Sequence, residues 1–268
     1  MPPRTKQIMP STLVDSHVHL DDIAFADDRD AVIERAALVG VDTMIIPAVD
    51  ASSWSRIRAL CATYRRLFPA YGLHPMYLQQ HAPEHVDALP AWLDDANVVA
   101  VGEIGLDFHV EGLDQQLQRD YFSRQLTLAR ERELPVIVHA RGALEEVILT
   151  LRRVPGIRGV VHSFSGSEQQ AEQLWRMGFL IGLGGPVTYE RAQRLHRIVT
   201  QMPLEFLLLE SDAPDQPDSA HRGQRNEPAR IVEVLRHIAA LRNVSETSIA
   251  EATSANANRL FQLGRRAS

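Results

Sequence analysis

The chain of 268 residues is long enough for one large domain, and its 45% hydrophobic and 23% charged residues are typical of a globular protein. The net charge of −6 does not indicate a general nucleic-acid-binding surface, although it leaves room for a local cationic site. The single cysteine, Cys61, excludes an intramolecular disulfide and favours a reducing compartment, so we expect a cytoplasmic protein. We expect neither a signal peptide nor a membrane partner, and we predict an N-terminal tail at residues 1–11 before one domain at 12–268.

Eight short apolar runs alternate with amphipathic stretches and are predicted to be β-strands. The predicted strands cover residues 12–19, 43–48, 70–73, 98–103, 136–139, 159–162, 180–183 and 206–210. The predicted helices cover residues 28–39, 53–67, 84–95, 115–133, 144–153, 168–177, 189–201 and 228–241. Apolar strands that alternate with helices indicate a parallel sheet buried on both faces, and eight such units predict an α/β protein with a (β/α)8 TIM barrel. Residues 245–265 are predicted to add one or two C-terminal helices on the outside.

Metal-ligating side chains follow five of the predicted strands. The first strand ends in His17 and His19, the fourth in Glu103, the fifth in His139, the sixth in His162, and the eighth in Glu210, Ser211 and Asp212. In an extended strand His17 and His19 share one face, so their imidazoles can converge on one ion. Taken singly, each residue could be an ordinary core histidine or a helix cap. Because the carboxyl ends of barrel strands meet at one mouth, the coincidence on five strands predicts a common site.

The chemistry of this residue set indicates a catalytic metal centre. Four imidazoles and two carboxylates without a thiolate are unlike a structural zinc site, which is usually rich in cysteine. Six ligands suit two divalent cations that hold a water-derived nucleophile between them. The excess positive charge of such a centre favours an anionic substrate, for example a phosphate ester. The ligand types are compatible with Zn²⁺, Mn²⁺, Ni²⁺ or Mg²⁺, and the sequence does not choose among them.

Seven motifs occur in order along the chain. They are residues 15–21 (DSHVHLD), 72–75 (GLHP), 101–107 (VGEIGLD), 135–141 (PVIVHAR), 159–166 (GVVHSFSG), 208–214 (LLESDAP) and 222–228 (RGQRNEP). Together they resemble the motifs of the TatD family of metal-dependent deoxyribonucleases, within the amidohydrolase superfamily. Ser16 and Ser211 stand where that family usually has threonine, which leaves the ligand positions unchanged.

The resemblance implies a role for each residue of the site. His17, His19, Glu103 and Asp212 would hold one ion, and Glu103, His139 and His162 would hold the other. Glu103 would bridge the two ions, and Asp212 would also accept a proton during catalysis. The substrate phosphate would contact four further residues, His74, Arg141, Arg222 and Asn226. The implied activity is hydrolysis of phosphodiester bonds at single-stranded DNA ends, as in a 3′–5′ exonuclease.

Two other functions compete with this interpretation. A small-molecule ester, amide, lactone or phosphoester hydrolase of the same superfamily would often bridge its metals with a carbamylated lysine. Lys6 is the only lysine and precedes the first strand, so the bridge must be Glu103, which argues against those branches. A non-catalytic metal-binding or scaffold protein is the second alternative, and the presence of Asp212 argues against it. The sequence does not settle the oligomeric state, and we expect a monomer.

Overall fold

The computed structural model describes residues 12–265, and within them eight parallel strands form a nearly closed barrel with helices between the strands. The strands are β1 (Leu13–Asp15), β2 (Val41–Pro47), β3 (Leu67–Tyr71), β4 (Ala100–Asp107), β5 (Val136–Arg141), β6 (Gly159–Val161), β7 (Leu180–Leu183) and β8 (Leu207–Leu209). Each strand pairs with the next in the chain, and Ser16 N–H donates to the carbonyl of Leu209 at 3.0 Å where β1 and β8 approach each other. The predicted barrel is confirmed, whereas the predicted tail at residues 1–11, with Lys6, lies outside the described residues.

The helices lie between the strands, as the alternating pattern predicts. They are α1 (Arg29–Leu38), α2 (Trp54–Thr63), α3 (Pro83–Leu93), α4 (Gln115–Glu131), α5 (Leu144–Arg152), α6 (Glu168–Arg176), α7 (Gln193–Gln201), α8 (Ile231–Arg242) and α9 (Glu246–Phe261). Short 3₁₀ segments at Ile23–Phe25 and Pro75–Gln80 follow β1 and β3 at the carboxyl end of the barrel. Across residues 12–265, no helix is both long and apolar enough to cross a membrane.

Two strand boundaries differ from the prediction in a way that matters for the site. β1 ends at Asp15, so His17 and His19 lie in the loop after the strand instead of within it. The loop is held by backbone bonds, because His19 N–H donates to the carbonyl of Ala213 at 2.9 Å. β4 continues past Glu103 to Asp107, because it keeps pairing with β5 from Ile104 to Asp107 after an irregularity in the register.

The core has two apolar layers separated by the sheet. Residues such as Met44 and Ile46 belong to the layer between the strands and the surrounding helices. Alternate strand residues, including Ile45 and Ile137, point to the other side and fill the barrel interior.

The predicted C-terminal helix is present as α9, and it packs against one end of the barrel. Ala257, Leu260 and Phe261 of α9 belong to the interior cluster, so this helix covers the amino end of the barrel. Their spacing of three and four residues places them on one helical face. Asn256 reinforces the attachment, since its amide donates to the carbonyls of Leu204 at 2.6 Å and Leu207 at 2.9 Å.

Candidate metal centre

Glu103 lies at the centre of the predicted ligand set. Its Oε2 is 3.1 Å from Nε2 of His17 and 3.8 Å from Nε2 of His19. Its Oε1 is 2.6 Å from Nε2 of His162 and 3.1 Å from Nδ1 of His139. One buried carboxylate thus faces four imidazoles that belong to β5 and to the loops after β1 and β6.

Asp212 follows β8 and completes the set. Its Oδ1 is 3.5 Å from Nε2 of His17 and 3.6 Å from Nε2 of His19, and its Oδ2 accepts a hydrogen bond from the amide of Gln216. The backbone N–H of Asp212 donates to the carbonyl of His17 at 2.9 Å, which holds the two loops together. The structure therefore brings all six predicted metal ligands to one place.

Asp107, at the end of β4, holds the ring of His139 in position. Nε2 of His139 donates to Oδ2 of Asp107 at 2.9 Å, and Nδ1 therefore faces the cluster, 3.1 Å from Oε1 of Glu103. Burial would raise the pKa of Asp107, but hydrogen bonds from His139 and from the backbone N–H of His109 lower it to about 2. A carboxylate on the distal nitrogen is the usual way in which proteins orient a metal-binding histidine.

His74 contacts the other side of the central carboxylate. Its Nδ1 accepts a hydrogen bond from the backbone N–H of Met76 at 3.1 Å, so Nε2 carries the proton and donates to Oε1 of Glu103 at 2.9 Å. Both ring nitrogens are engaged in this arrangement. The immediate role of His74 is therefore to position Glu103, and its predicted contact with a substrate phosphate stays a prediction.

Glu210 is a further buried carboxylate beneath His162. Its Oε1 accepts a hydrogen bond from Ser163 N–H at 2.5 Å, whereas its Oε2 has no hydrogen-bond partner within residues 12–265. Burial raises the pKa of Glu210 to about 8. Gly182 makes room for this carboxylate, because a Cβ at that position would lie 2.1 Å from Oε2 of Glu210.

A second glycine permits the close approach of the two strands that carry Glu103 and His139. Gly105 has a φ of 142°, and a Cβ there would lie 2.0 Å from the carbonyl oxygen of His139. Any other residue at position 105 would push β4 and β5 apart. This explains in physical terms why a glycine stands two residues after the central carboxylate.

The electrostatics of the cluster favour added positive charge. Burial alone would raise the pKa of Glu103, but His162, His74 and His17 around it lower that pKa well below its ordinary value. Burial would lower the pKa of His162, and the Glu103 carboxylate instead raises it to about 10. Burial and the neighbouring His162 lower the pKa of His17 well below its ordinary value. The central carboxylate is therefore ionised and attracts a cation.

The donor atoms fit a divalent cation. Nε2 of His17 and Nε2 of His19 are only 3.2 Å apart, and Nδ1 of His139 is 3.1 Å from Oε1 of Glu103. Nδ1 of His17 and Nδ1 of His162 have no hydrogen-bond partner among the described residues. Imidazole nitrogens and carboxylate oxygens that converge in this way are a ligand set for a divalent metal ion.

The geometry groups these donors in three overlapping sets, each with its ligand atoms within 4.8 Å of one another. The sets are His17, His19 and Asp212, then His17, His162 and Glu210, and then His74, Glu103 and His139. The first set agrees with the predicted first ion. The other two add Glu210 and His74 to the candidates, which the sequence did not assign as ligands. The number of ions and their identity stay predictions.

A cavity of 1040 Å³ opens above the cluster. His19, Glu103, His139, His162 and Asp212 are among its lining residues, so the metal centre forms part of the cavity wall. Arg141 also lines the cavity, is exposed, and has no hydrogen bond or ion pair from its guanidinium in the part of the chain that the structure describes. Of the four predicted phosphate contacts, His74 and Arg141 line this cavity.

Arg222 and Asn226 do not line the cavity. Arg222 is exposed on the loop after β8, outside the cavity wall. Asn226 is buried, and its amide donates to the carbonyls of Ser211 at 2.8 Å and Asp215 at 2.9 Å. The side chain of Asn226 thus shapes the loop that carries Asp212, instead of reaching a substrate.

Sequence reasoning missed Asp107, Glu210 and the apolar residues at one rim of the cavity. Asp107 stands in the VGEIGLD motif, and its place two strand positions after Gly105 is the signal that could have found it. Glu210 was visible as the last residue of an apolar run, next to the assigned Asp212. Ile23, Met76 and Tyr77 lie in short 3₁₀ segments, whose sequences carry no periodic pattern.

An eight-stranded parallel barrel with a buried histidine and carboxylate cluster at its carboxyl mouth defines a metal-dependent hydrolase. A family model described as TatD related DNase matches residues 14–262. The chain therefore belongs to the TatD family.

Relatives of known sequence or structure support this assignment. The chain is 40% identical to the uncharacterized metal-dependent hydrolase YjjV of Escherichia coli strain K12, over 93% of this chain and 98% of that protein. It is 33% identical to the 3′-5′ ssDNA/RNA exonuclease TatD of Salmonella typhimurium, over 94% of this chain and 99% of that protein. The crystal structure of E. coli YjjV superposes with a TM-score of 0.90 at 39% identity, over 93% of this chain and 98% of that chain.

Proposed function

We propose that this hydrolase cleaves phosphodiester bonds at the ends of single-stranded DNA, in the 3′ to 5′ direction, with two divalent cations. The observation that carries the proposal is the guanidinium of Arg141, which lies on the wall of the cavity that holds the metal centre and has no partner within residues 12–265. A cation beside an electropositive metal site suits a substrate with more than one phosphate. The Salmonella relative, whose name states a 3′-5′ exonuclease activity on ssDNA and RNA, gives the polarity and the substrate class. The single, buried Cys61 suits a reducing cytoplasm.

The residues of the cluster divide into two ligand groups around one shared carboxylate. His17, His19, Asp212 and Oε2 of Glu103 would hold one cation, and Oε1 of Glu103, His139 and His162 would hold the other. Such cations would polarise a phosphoryl oxygen and activate water at neutral pH. Oε1 of Glu210 lies 3.8 Å from Nδ1 of His162, outside the two ligand groups.

The protein side chains handle the proton and the substrate phosphate. Asp212 lies beside both histidines of the first group, and the amide of Gln216 fixes one of its oxygens. Oδ1 of Asp212 would take the proton from the attacking water. The water oxygen forms the new bond to phosphorus, the bond from phosphorus to the leaving deoxyribose oxygen breaks, and that oxygen takes up a proton. Arg141 would bind the next phosphate along the strand.

The test is a nuclease assay on end-labelled single-stranded DNA, double-stranded DNA and RNA, with Zn²⁺, Mn²⁺, Ni²⁺ and Mg²⁺ supplied in turn. We expect stepwise shortening of the single strand from its 3′ end. Asp212→Asn should keep the fold and lose on the order of 10²-fold or more in rate, the usual scale of acid–base catalysis. Asp215→Asn, on the same loop and also on the cavity wall, is the matched control for the lost charge and should stay within a few-fold of the wild type.

The outcome that contradicts the proposal is a metal-loaded, folded protein that cleaves none of the three nucleic acids. If that protein hydrolysed a small ester, amide or phosphoester instead, the small-molecule alternative would replace the present proposal. Equal shortening from both ends would leave the chemistry in place and remove the assigned polarity.

A further inference from the structure

One rim of the cavity carries three exposed apolar side chains, which the hydrolytic chemistry does not require. Ile23 is 85% exposed, Met76 is 39% exposed and Tyr77 is 37% exposed, and all three line the cavity. We name these three residues the apolar shelf. They are three of the seven large hydrophobic side chains that are exposed within residues 12–265, so such residues are concentrated at this rim. A local concentration of exposed apolar side chains at a cavity marks a binding surface.

The shelf is held rigidly next to the metal centre. The ring of Tyr77 meets the ring of His74 edge to face, with the centroids 5.7 Å apart, and Nε2 of His74 is 2.9 Å from Glu103. The hydroxyl of Tyr77 has no hydrogen bond within the described residues, so the ring is held by packing. Ile23 begins a 3₁₀ turn that buried Phe25 anchors and the carboxylate of Asp22 caps. A planar group bound next to the metal centre would therefore contact these side chains.

The two sides of the cavity mouth differ in charge. On the shelf side, in the segments that follow β1, β2 and β3, three carboxylates (Asp21, Asp22 and Asp50) face two arginines (Arg29 and Arg56). Arg56 is paired with Asp21 at 2.8 Å, and Arg29 donates to the backbone carbonyl of Leu20 at 2.6 Å. On the other side, at the end of β5, the guanidinium of Arg141 is unpaired within residues 12–265. The shelf side therefore has one more negative than positive side chain, whereas Arg141 offers a phosphate a guanidinium without a partner among the described residues.

We propose that the apolar shelf stacks the base of the terminal nucleotide, while the rest of the strand leaves the metal centre past Arg141. This inference rests on the proposed function, because it takes the substrate to be a nucleic-acid end. An uncharged base fits apolar side chains and an aromatic ring, and base stacking on aromatic residues tolerates any sequence. The carboxylates behind the shelf leave no favourable place for a further phosphate. This arrangement selects strand ends over internal positions.

The test compares single-stranded oligonucleotides whose terminal nucleotide is normal, abasic or 3′-phosphorylated. For the wild type, removal of the terminal base should raise KM on the order of tenfold with a smaller change in kcat, the scale of one lost stacking contact. The added 3′-phosphate should also raise KM. Tyr77→Ala should raise KM for the normal end by a similar factor and should remove the difference between normal and abasic ends. Tyr77→Phe should keep the wild-type KM for the normal end and the wild-type difference between normal and abasic ends.

Tyr64→Ala is the matched control, since Tyr64 follows the last residue of α2, does not line the cavity and should leave KM unchanged. A direct readout is the fluorescence of a terminal 2-aminopurine bound to metal-loaded, Asp212→Asn protein. Stacking should quench this fluorescence, and adding Tyr77→Ala should recover it. If the wild type shortened the strand with equal KM values for normal and abasic ends, the proposed stacking on the apolar shelf would be wrong. The nuclease proposal would be unaffected. A wild type that cleaves no nucleic acid would overturn both.

Discussion

The amino end and the carboxyl end of the barrel interior are built by the same strands from opposite chemistry. At the amino end, alternate residues such as Ile45, Ile137 and Leu208 form an apolar cluster that α9 covers with Phe261. At the carboxyl end, Glu103 and its surrounding histidines take the place of apolar side chains, and several buried polar atoms there have no hydrogen-bond partner within residues 12–265. The first end gains free energy of folding by burying apolar area, whereas the second buries polar and charged groups, which costs free energy.

Because the two ends differ in chemistry, stability and catalysis can be altered separately by substitutions at opposite ends of the barrel. A change in the apolar end should alter the free energy of unfolding and leave the chemistry of each folded molecule intact. A change in the polar end should alter metal binding and turnover, because the histidines and carboxylates are supported by the strands below them. Catalytic barrels in general show this separation between the two ends of the strands.

The largest expected effect follows from replacing the central carboxylate. Glu103→Ala removes the one group that faces four imidazoles, so bound metal should fall and turnover should drop on the order of 10³-fold or more. Circular dichroism should show an unchanged barrel. Metal analysis of the purified protein, together with the nuclease assay, measures both effects.

Glu34→Ala, on the exposed face of α1, is the control for the loss of a glutamate and should change neither quantity. Full metal content in Glu103→Ala would show that the cations do not depend on this residue. The proposed bridge would then have to be given up.

The complementary change is made at the opposite end of the barrel. Phe261→Ala empties a fully buried aromatic site between α9 and the strands, so the free energy of unfolding should fall by about 3–5 kcal/mol. Turnover per folded molecule at low temperature should remain near that of the wild type. Denaturant unfolding and an assay normalised to the folded fraction measure the two quantities. Leu149→Ala, at an exposed position on α5, should change the stability little. A large loss of turnover without loss of stability would contradict the separation of the two ends.

A smaller effect is expected from the carboxylate that orients a ligand without joining the cluster. Asp107→Asn weakens the hydrogen bond to Nε2 of His139, so metal affinity should fall about 10- to 100-fold, as for other distal partners of metal-binding histidines. Titration of the metal-free protein by calorimetry measures the affinity. Asp87→Asn, at an exposed carboxylate paired with Arg124, should leave it unchanged. An unaltered affinity in Asp107→Asn would mean that packing alone holds the ring of His139.

The sequence predicted the polar end well because parallel strands bring their carboxyl ends together whatever their exact lengths. His17 and His19 reach the cluster although β1 ends at Asp15, two residues earlier than the first of them. Glu103 reaches it from the middle of β4. The direction of the strands fixed which residues meet, and the strand boundaries mattered little.

The parts that sequence reasoning did not predict depend on tertiary packing. Asp107 enters the site because β4 keeps pairing with β5 beyond Glu103, and the predicted strand ended at Glu103. The apolar face of α9 predicts that the helix packs against an apolar surface, but it does not identify that surface. The partner surface, the amino end of the barrel, exists only once the strands have assembled. Asn226 resembles a substrate contact in sequence, but it is buried and bonded to backbone carbonyls in the fold.

The smallest expected effect concerns charges that lie near the carboxyl end but face solvent. Asp28, just before α1, is paired with Arg225 at 2.7 Å and with Arg35 at 3.3 Å, and these contacts link the loops after β1 and β8. The hydrogen bonds from Arg225, and then from Arg35, lower the pKa of Asp28 to about 2. A carboxylate whose pKa is lowered in the folded state stabilises the protein above its ordinary pKa, and this contribution is lost as the pH falls from about 4 towards 2.

Asp28→Asn should therefore lower Tm at pH 7 by no more than about 2 °C, and the difference from the wild type should narrow below pH 4. Asp27→Asn, at the exposed neighbouring position, should not change Tm. Thermal unfolding of the three proteins between pH 7 and pH 3 decides the matter, because a gap that stays constant on acidification would show that the carboxylate charge of Asp28 contributes nothing.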